Sequence, residues 1–351
     1  LVQAIPAYRL PRETLAREIR MIENLGVTIT TETRLGRDFT LGDLRAQGYE
    51  AVFLGLGAPQ CLPLEAPGAD GSGVVEAGDF LRQYNVRGSV PVGRKVLVVG
   101  GGNAAIDAAR TALRLGAEVT IIYRRTRDQM PAYAEEIEEA VSEGVTLMPL
   151  VQPVEVMRNG AGDVTAVRCA ELALGEFDTS GRRRPLRRES EPFDIGADQV
   201  IVAIGQRLEH DGDLAQTAVR RDDDGFLRAD PVTGRTADPW IFAGGDAVLG
   251  PASVVEAIAA GERAARGIDM QLTGEDHAFW RRDIPLDTAF DPDADPSPHA
   301  REPVETIPVE RRRHNFSEVE LPWSEAVAVR QAARCLRCDY GKTPAQEDVH
   351  A

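Results

Sequence analysis

The stretch Val96-Leu-Val-Val-Gly-Gly-Gly-Asn-Ala-Ala-Ile-Asp107, with Ile121-Ile-Tyr-Arg-Arg125 downstream, decides the fold. An apolar, β-branched run enters a glycine-rich turn, and an alanine-rich segment leaves it. Gly100, Gly102 and Ala105 fill the three small-residue positions of the G-x-G-x-x-G/A dinucleotide fingerprint. The first permits a tight turn, and the second lets backbone N–H groups approach a pyrophosphate. The third lets the helix pack close to the strand. Gly101, Asn103 and Ala104 complete the turn and the helix start, where unpaired N–H groups and partial positive charge favour phosphate.

The context fits. Residues 104–115 read as a helix closed by Gly116, and 117–123 read as the next strand. An NAD-selective site places Asp or Glu near the end of that second strand, on the ribose hydroxyls. Here Arg124 and Arg125 stand there, with Arg127 close behind. Guanidiniums grip a 2′-phosphate through charge-assisted, bidentate bonds. The site therefore reads as selective for NADP(H) over NAD(H), the alternative being a solvated basic turn.

At 351 residues the chain has room for about two domains with proper cores. Its 40 basic and 56 acidic residues give a net charge of −16, which argues against a nucleic-acid surface. No apolar run approaches the ~18–20 residues that cross a membrane, and no secretory start is visible. Four cysteines, Cys61, Cys169, Cys335 and Cys338, do not make a disulfide framework at this length. The expected compartment is the cytoplasm. Cys61 and Cys169 read as small buried hydrophobes. The histidines show no metal spacing, and no nucleophile elbow or carboxylate pair suggests hydrolysis.

Residues 11–25 place Leu15, Ile19, Ile22 and Leu25 on one helical face, and 27–31 follow as a strand. Tyr49 to Leu56 form another apolar run, and the nucleotide unit opens near Val92. A helix is expected from Pro131 with Ile137 and Val141 buried, then strands over 145–150, 164–174 and 199–203. Between the last two, Gly181-Arg-Arg-Arg184 and Arg187-Arg188 read as a solvated hairpin loop or a partner-docking element. Beyond Trp240-Ile-Phe-Ala-Gly-Gly-Asp-Ala247 a helix spans about 253–268. Residues 285–322 are polar and aperiodic, and a short helix over 324–334 precedes the last two cysteines.

Ala4-Ile-Pro-Ala-Tyr-Arg-Leu-Pro11, the Gly100 fingerprint with Arg124-Arg125 and Met130-Pro131, and Ala243-Gly-Gly-Asp246 before a helix stand in a telling order. Together they resemble the small (β) subunit of bacterial glutamate synthase and its NADPH-dependent flavoprotein relatives. The resemblance implies an α/β protein of two Rossmann-like domains, the NADPH domain inserted into the FAD domain. Residues 1–90 and 231–275 would form the FAD domain, 91–230 the NADPH domain, and 276–351 a polar tail.

The same resemblance assigns residues. Val202-Ala-Ile-Gly-Gln206, with Gly205, matches the return to the FAD domain. Asp246 matches a carboxylate that accepts a hydrogen bond from the FAD ribitol, and Gly245 lets the backbone approach. The helix start at Ser253 and Val254 would face the flavin pyrimidine. Met130-Pro131 would line the nicotinamide side, or start a helix with Pro at N1. Relatives carry a first glycine fingerprint upstream of Ile-Pro-Ala-Tyr, so this chain is expected to be part of a longer FAD protein. Arg334-Cys-Leu-Arg-Cys338 looks like half of a [4Fe-4S] ligand set, with inert thiols or a redox dithiol as alternatives. Hydride exchange between NADP(H) and FAD would feed an iron–sulfur or ferredoxin-type partner, or a large subunit. The competing readings are a thioredoxin reductase-like dithiol enzyme and a non-catalytic NADP(H)-binding docking module.

Overall fold

A computed structural model describes residues 1–177, 181–208, 214, 216–278 and 300–333. Cys335, Cys338, His210, His299 and His350 lie outside these. The chain divides into two compact units, Leu1–His277 with Val309–Glu318, and Ala278–Pro308 with Val319–Ala351.

In the first unit come α1 (Arg12–Glu23), α2 (Leu41–Ala46), β1 (Val52–Leu54), β2 (Gln60–Cys61), β3 (Val74–Glu76) and α3 (Ala77–Arg87). The fingerprint region forms β4 (Lys95–Val99), α4 (Asn103–Arg114), β5 (Glu118–Tyr123), α5 (Ala134–Glu143) and β6 (Thr146–Pro149). Then follow β7 (Val151–Arg158), β8 (Val164–Phe177), β9 (Arg183–Arg187), β10 (Phe193–Gly196), β11 (Gln199–Val202) and β12 (Gln206–Arg207). The unit ends with β13 (Ile241–Ala243), α6 (Asp246–Leu249), α7 (Val254–Thr273) and α8 (Val309–Arg312). The second unit holds α9 (Glu325–Ala332) and a bridge between Thr306 and Glu320.

Five parallel strands in the order β3-β11-β4-β5-β6 form the central sheet. A parallel strand covered on both faces reads as an unbroken apolar run, because alternate side chains enter different layers. β4 does this. Val96 and Val98 pack with Ala105, Ile106, Ala109 and Ile137 of the helical layer. Leu97 and Val99 pack with Val156, Val167 and Cys169 of the antiparallel layer β7-β8-β10. Residues 74–87, numbered before the expected boundary at 91, give this sheet its edge strand and a flanking helix.

A second, two-stranded sheet pairs β1 with β13 in parallel, Val52 beside Ile241 and Leu54 beside Ala243. Several expectations fail here. No strand forms over 27–31, where Val27 and Ile29 are half exposed and find no pairing partner among the described residues. On α1 only Leu15 is buried, and Leu25 is 84% exposed, because nothing among the described residues covers that face. Val141 is exposed on α5, which starts at Ala134, so Pro131 is not its first residue. The arginine-rich segment read as a loop is strand β9, paired antiparallel with β8. Residues 309–318 fold into the first unit and bury Arg312.

Candidate functional site

The glycine turn is built from three unlike glycines. Gly100 has φ +145°, and a Cβ there would lie 2.2 Å from the Ala203 carbonyl oxygen, so β4 and β11 can leave the sheet together only past a glycine. A Cβ on Gly101 would strike the Tyr123 ring at 2.6 Å. Gly102, the N-cap of α4, has an ordinary extended backbone, φ −89° and ψ 175°. The nearest atom to a Cβ there is Pro131 Cγ at 3.9 Å. Nothing among the described residues requires glycine at 102. The first turn of α4 has neither a side-chain cap nor an acidic residue; Ala105 and Ile106 N–H donate to Gly102 O, which leaves the Asn103 and Ala104 N–H groups for an external acceptor. Ala104 stands on that first turn, and Ala105 is fully buried against β4.

The segment after β5 folds over this turn. Ala132 N–H donates to Gly101 O at 3.2 Å, and Tyr133 N–H to Asn103 Oδ1 at 3.1 Å. Tyr123 donates its hydroxyl to Gln129 O at 2.9 Å. Met130 is buried and Pro131 borders the Gly102 space. The two arginines part company, as neighbours on an extended backbone do. Arg124 is exposed, with no hydrogen-bond or ion-pair partner among the described residues. Arg125 is buried, and its Nε donates to Arg183 O of β9 at 3.1 Å. Arg127 is exposed, 3.8 Å from Glu138. Gly205 has φ +141° and sits against Leu62, whose N–H donates to its carbonyl at 3.0 Å.

Sequence reasoning missed a charged cluster behind α4. Tyr8 is buried under Arg110 and Arg114, whose guanidinium carbons lie 4.9 and 4.0 Å from its ring centroid. Arg9 Nη1 donates to both Asp107 oxygens at 3.0 Å, and its Nε lies 2.7 Å from Glu136. Arg110, wholly buried, donates to Glu136, to Glu139 at 2.6 Å and to Glu143 at 2.7 Å. Arg114 reaches both Glu143 oxygens, at 2.7 and 2.9 Å, and Arg312 of α8 reaches Glu139 at 3.3 Å. Burial raises the Asp107 carboxyl to about 6 despite Arg9. Burial also works to raise Glu143, but Arg114 and Arg110 overcome it and hold that carboxyl below its usual value. The available signal was Asp107, Arg110 and Arg114 at i, i+3 and i+7 on the buried face of an alanine-rich helix. The cluster fastens residues 8–9 and 312 to the helix that carries the glycine turn.

The turn after β13 is also specific. Gly245 has φ 64° and ψ −153°, a region essentially restricted to glycine. A Cβ on Gly244 would come within 2.9 Å of Ala260 Cβ. Asp246 Oδ1 accepts the Ala252 N–H at 3.2 Å, and burial raises this carboxyl. Ser253 caps α7 in a capping box with Glu256: Glu256 N–H donates to Ser253 Oγ at 3.2 Å, and Ser253 N–H to Glu256 Oε2 at 2.8 Å. The Glu256 carboxylate partly offsets the positive helix end, while Val254 and Val255 N–H keep no intrahelical acceptor.

Cys61 and Cys169 are buried, and burial pushes the Cys169 thiol up to about 12. Among the described residues no group of His, Cys, Asp or Glu is placed to hold a metal ion, and no helix is long and apolar enough to cross a membrane.

A central parallel sheet with an open, uncapped glycine turn, and a second glycine–aspartate turn on a separate sheet, define an α/β protein with two dinucleotide-binding folds. Residues 5–261 match the pyridine nucleotide-disulphide oxidoreductase family, and the chain belongs to it. It is 40% identical to the NADP(+)-dependent formate dehydrogenase subunit beta of Moorella thermoacetica, over 96% of this chain and 49% of that protein. It is 37% identical to the NADPH-Fe(3+) oxidoreductase subunit beta of Geobacter sulfurreducens, over 95% of this chain and 55% of that one. The glutamate synthase [NADPH] small chain of Escherichia coli is 37% identical over 76% of this chain and 60% of its own length. The chain thus spans about half the length of the curated relatives it matches. Mycobacterium tuberculosis FprA in complex with NADPH shares the fold, with TM-score 0.63, 19% identity, and coverage of 78% of this chain and 75% of that one.

Proposed function

We propose that this chain handles the pyridine nucleotide in an NADPH-dependent FAD oxidoreductase that passes electrons to an iron–sulfur partner. The observation that carries the reading is the turn at Gly102: uncapped, unobstructed, and followed at the end of β5 by the exposed Arg124. Relatives named for NADP(+) or NADPH agree with a 2′-phosphate at Arg124, and their names as subunits or chains support a larger assembly.

In this reading the N–H groups at Gly102, Asn103 and Ala104 hold the pyrophosphate, and Ala105 sets the helix close enough to do so. The Pro131 edge bounds the site. Gly245 and Asp246 fit the ribitol of FAD, where Gly245 clears the backbone and Asp246 offers a carboxylate oxygen. Val254 and Val255 N–H face the flavin side. When bound, FAD accepts hydride from NADPH and releases electrons singly. Residues 91–203, with 74–87, form the nucleotide domain, short of the expected limit at 230, since Leu208, Leu214 and Leu227 pack with Leu54, Ile241 and Ala243 of the second sheet. Cys335 and Cys338 would contribute to a [4Fe-4S] site only alongside further thiolates. The cytoplasm is the proposed compartment.

The test is an anaerobic titration of the FAD-loaded protein. Flavin absorbance is expected to bleach with NADPH and far less with NADH. Flavin that stays oxidised at saturating NADPH refutes the hydride path.

A further inference from the structure

The β8-β9 ribbon was read from sequence as solvated or as a docking element, yet it is laced to the end of β5. Leu150 N–H donates to Arg125 O at 3.0 Å, and Leu172 N–H of β8 to Leu150 O at 2.8 Å. Further out, Arg125 Nε binds Arg183 O of β9 at 3.1 Å. The ribbon therefore continues from the position where the fingerprint puts the adenosine ribose.

On the ribbon lies an open groove of about 1010 Å³ lined by Leu174, Glu176, Phe177, Arg183, Arg184 and Leu186. Its side chains divide the work. Arg183 is spent on the ribbon itself, donating to Gly175 O at 2.9 Å and Leu174 O at 3.4 Å. Arg184 is exposed and has no hydrogen-bond or ion-pair partner among the described residues. Phe177 and Leu186 are 73% and 49% exposed. An aromatic face and a branched aliphatic beside the Arg184 guanidinium suit a flat purine that carries a phosphate.

Resting on the NADP(H) reading above, we propose that this groove receives the adenosine 2′-phosphate end of NADP(H). Arg184 shares the 2′-phosphate with Arg124, and Phe177 and Leu186 flank the adenine. Selectivity for NADP(H) then comes from two elements far apart in sequence, the end of β5 and the start of β9.

The experiment titrates the full chain with NADPH and with NADH, following nucleotide fluorescence, for wild type, Arg184→Ala, Arg124→Ala and Arg187→Ala. Arg187 does not line the groove, so its loss is expected to leave both affinities unchanged. Arg184→Ala is expected to weaken NADPH binding about tenfold and leave NADH unchanged. Wild-type NADPH affinity in Arg184→Ala, or an equal loss for NADH, overturns the proposal. If Arg124→Ala still weakens NADPH alone, only the groove is refuted and the ribbon reverts to a surface for an acidic protein partner. If Arg124→Ala also leaves NADPH unchanged, the underlying NADP(H) reading falls with it.

Discussion

Replacing Arg9 by Gln should destabilise the protein by an amount that grows with pH. Arg9 holds both oxygens of Asp107, whose side chain is 7% exposed, while Arg9 keeps 21% of its own surface in water. Removing one partner of a buried pair costs ~3–5 kcal/mol, and the partial exposure of Arg9 points to the lower end, ~3 kcal/mol. That figure applies where Asp107 is ionised. Its carboxyl is raised to about 6 by burial even with Arg9 present. A carboxyl raised on folding favours the native state below its unfolded value and loses that favour as pH rises through the folded value. Without Arg9 the folded value climbs further, by about two pH units for ~3 kcal/mol, so the loss continues to higher pH in the variant than in the wild type. Near pH 5 Asp107 mostly holds its proton in both proteins, and the variant lacks hydrogen bonds and the partly exposed Arg9–Glu136 pair, about 1–2 kcal/mol together. Urea unfolding at pH 5 and pH 8 measures the difference, with Asp107→Asn as the background in which the pH dependence should vanish. Equal destabilisation at both pH values, or a larger one at pH 5, would refute the reasoning.

Gly100→Ala should lower the melting temperature by at least about 5 °C, because its Cβ meets the Ala203 oxygen at 2.2 Å and φ is +145°; a wild-type melting curve would contradict this. Cys169, fully buried and with its thiol pushed up to about 12, should resist iodoacetamide in the native protein and react only after unfolding. Peptide mass mapping checks this, and rapid native labelling of Cys169 would speak against the packing described.

The β4–turn–α4–β5 unit was legible because its signals are local. Four apolar residues in a row, a glycine turn and an alanine-rich helix leave little choice. The turn before Asp246 was legible for the same reason. Long-range features were not. β9 reads as a polar loop, since its arginines are exposed and only its pairing with β8 makes it a strand. The run at 27–31 has strand-like residues but no neighbour among the described residues to supply hydrogen bonds, so propensity alone did not make a strand. The partners of Tyr8 and Arg9 lie near position 107 and beyond, and no periodicity near residue 8 encodes them. The arginine pair at 124–125 was visible, but not that Arg125 would turn inward to the ribbon.

Gly102 offers the most direct test of the account. Its backbone suits any residue, and among the described residues the nearest atom to a Cβ placed there is Pro131 Cγ at 3.9 Å. Aspartate is a favoured N-cap, so Gly102→Asp should fold with undiminished stability while setting a carboxylate where the pyrophosphate is to bind. Calorimetric titration with NADPH should then show an unchanged melting temperature and an affinity reduced by at least about a hundredfold. NADPH affinity equal to that of the wild type in a normally folded Gly102→Asp protein would contradict the assignment of this turn as the nucleotide site.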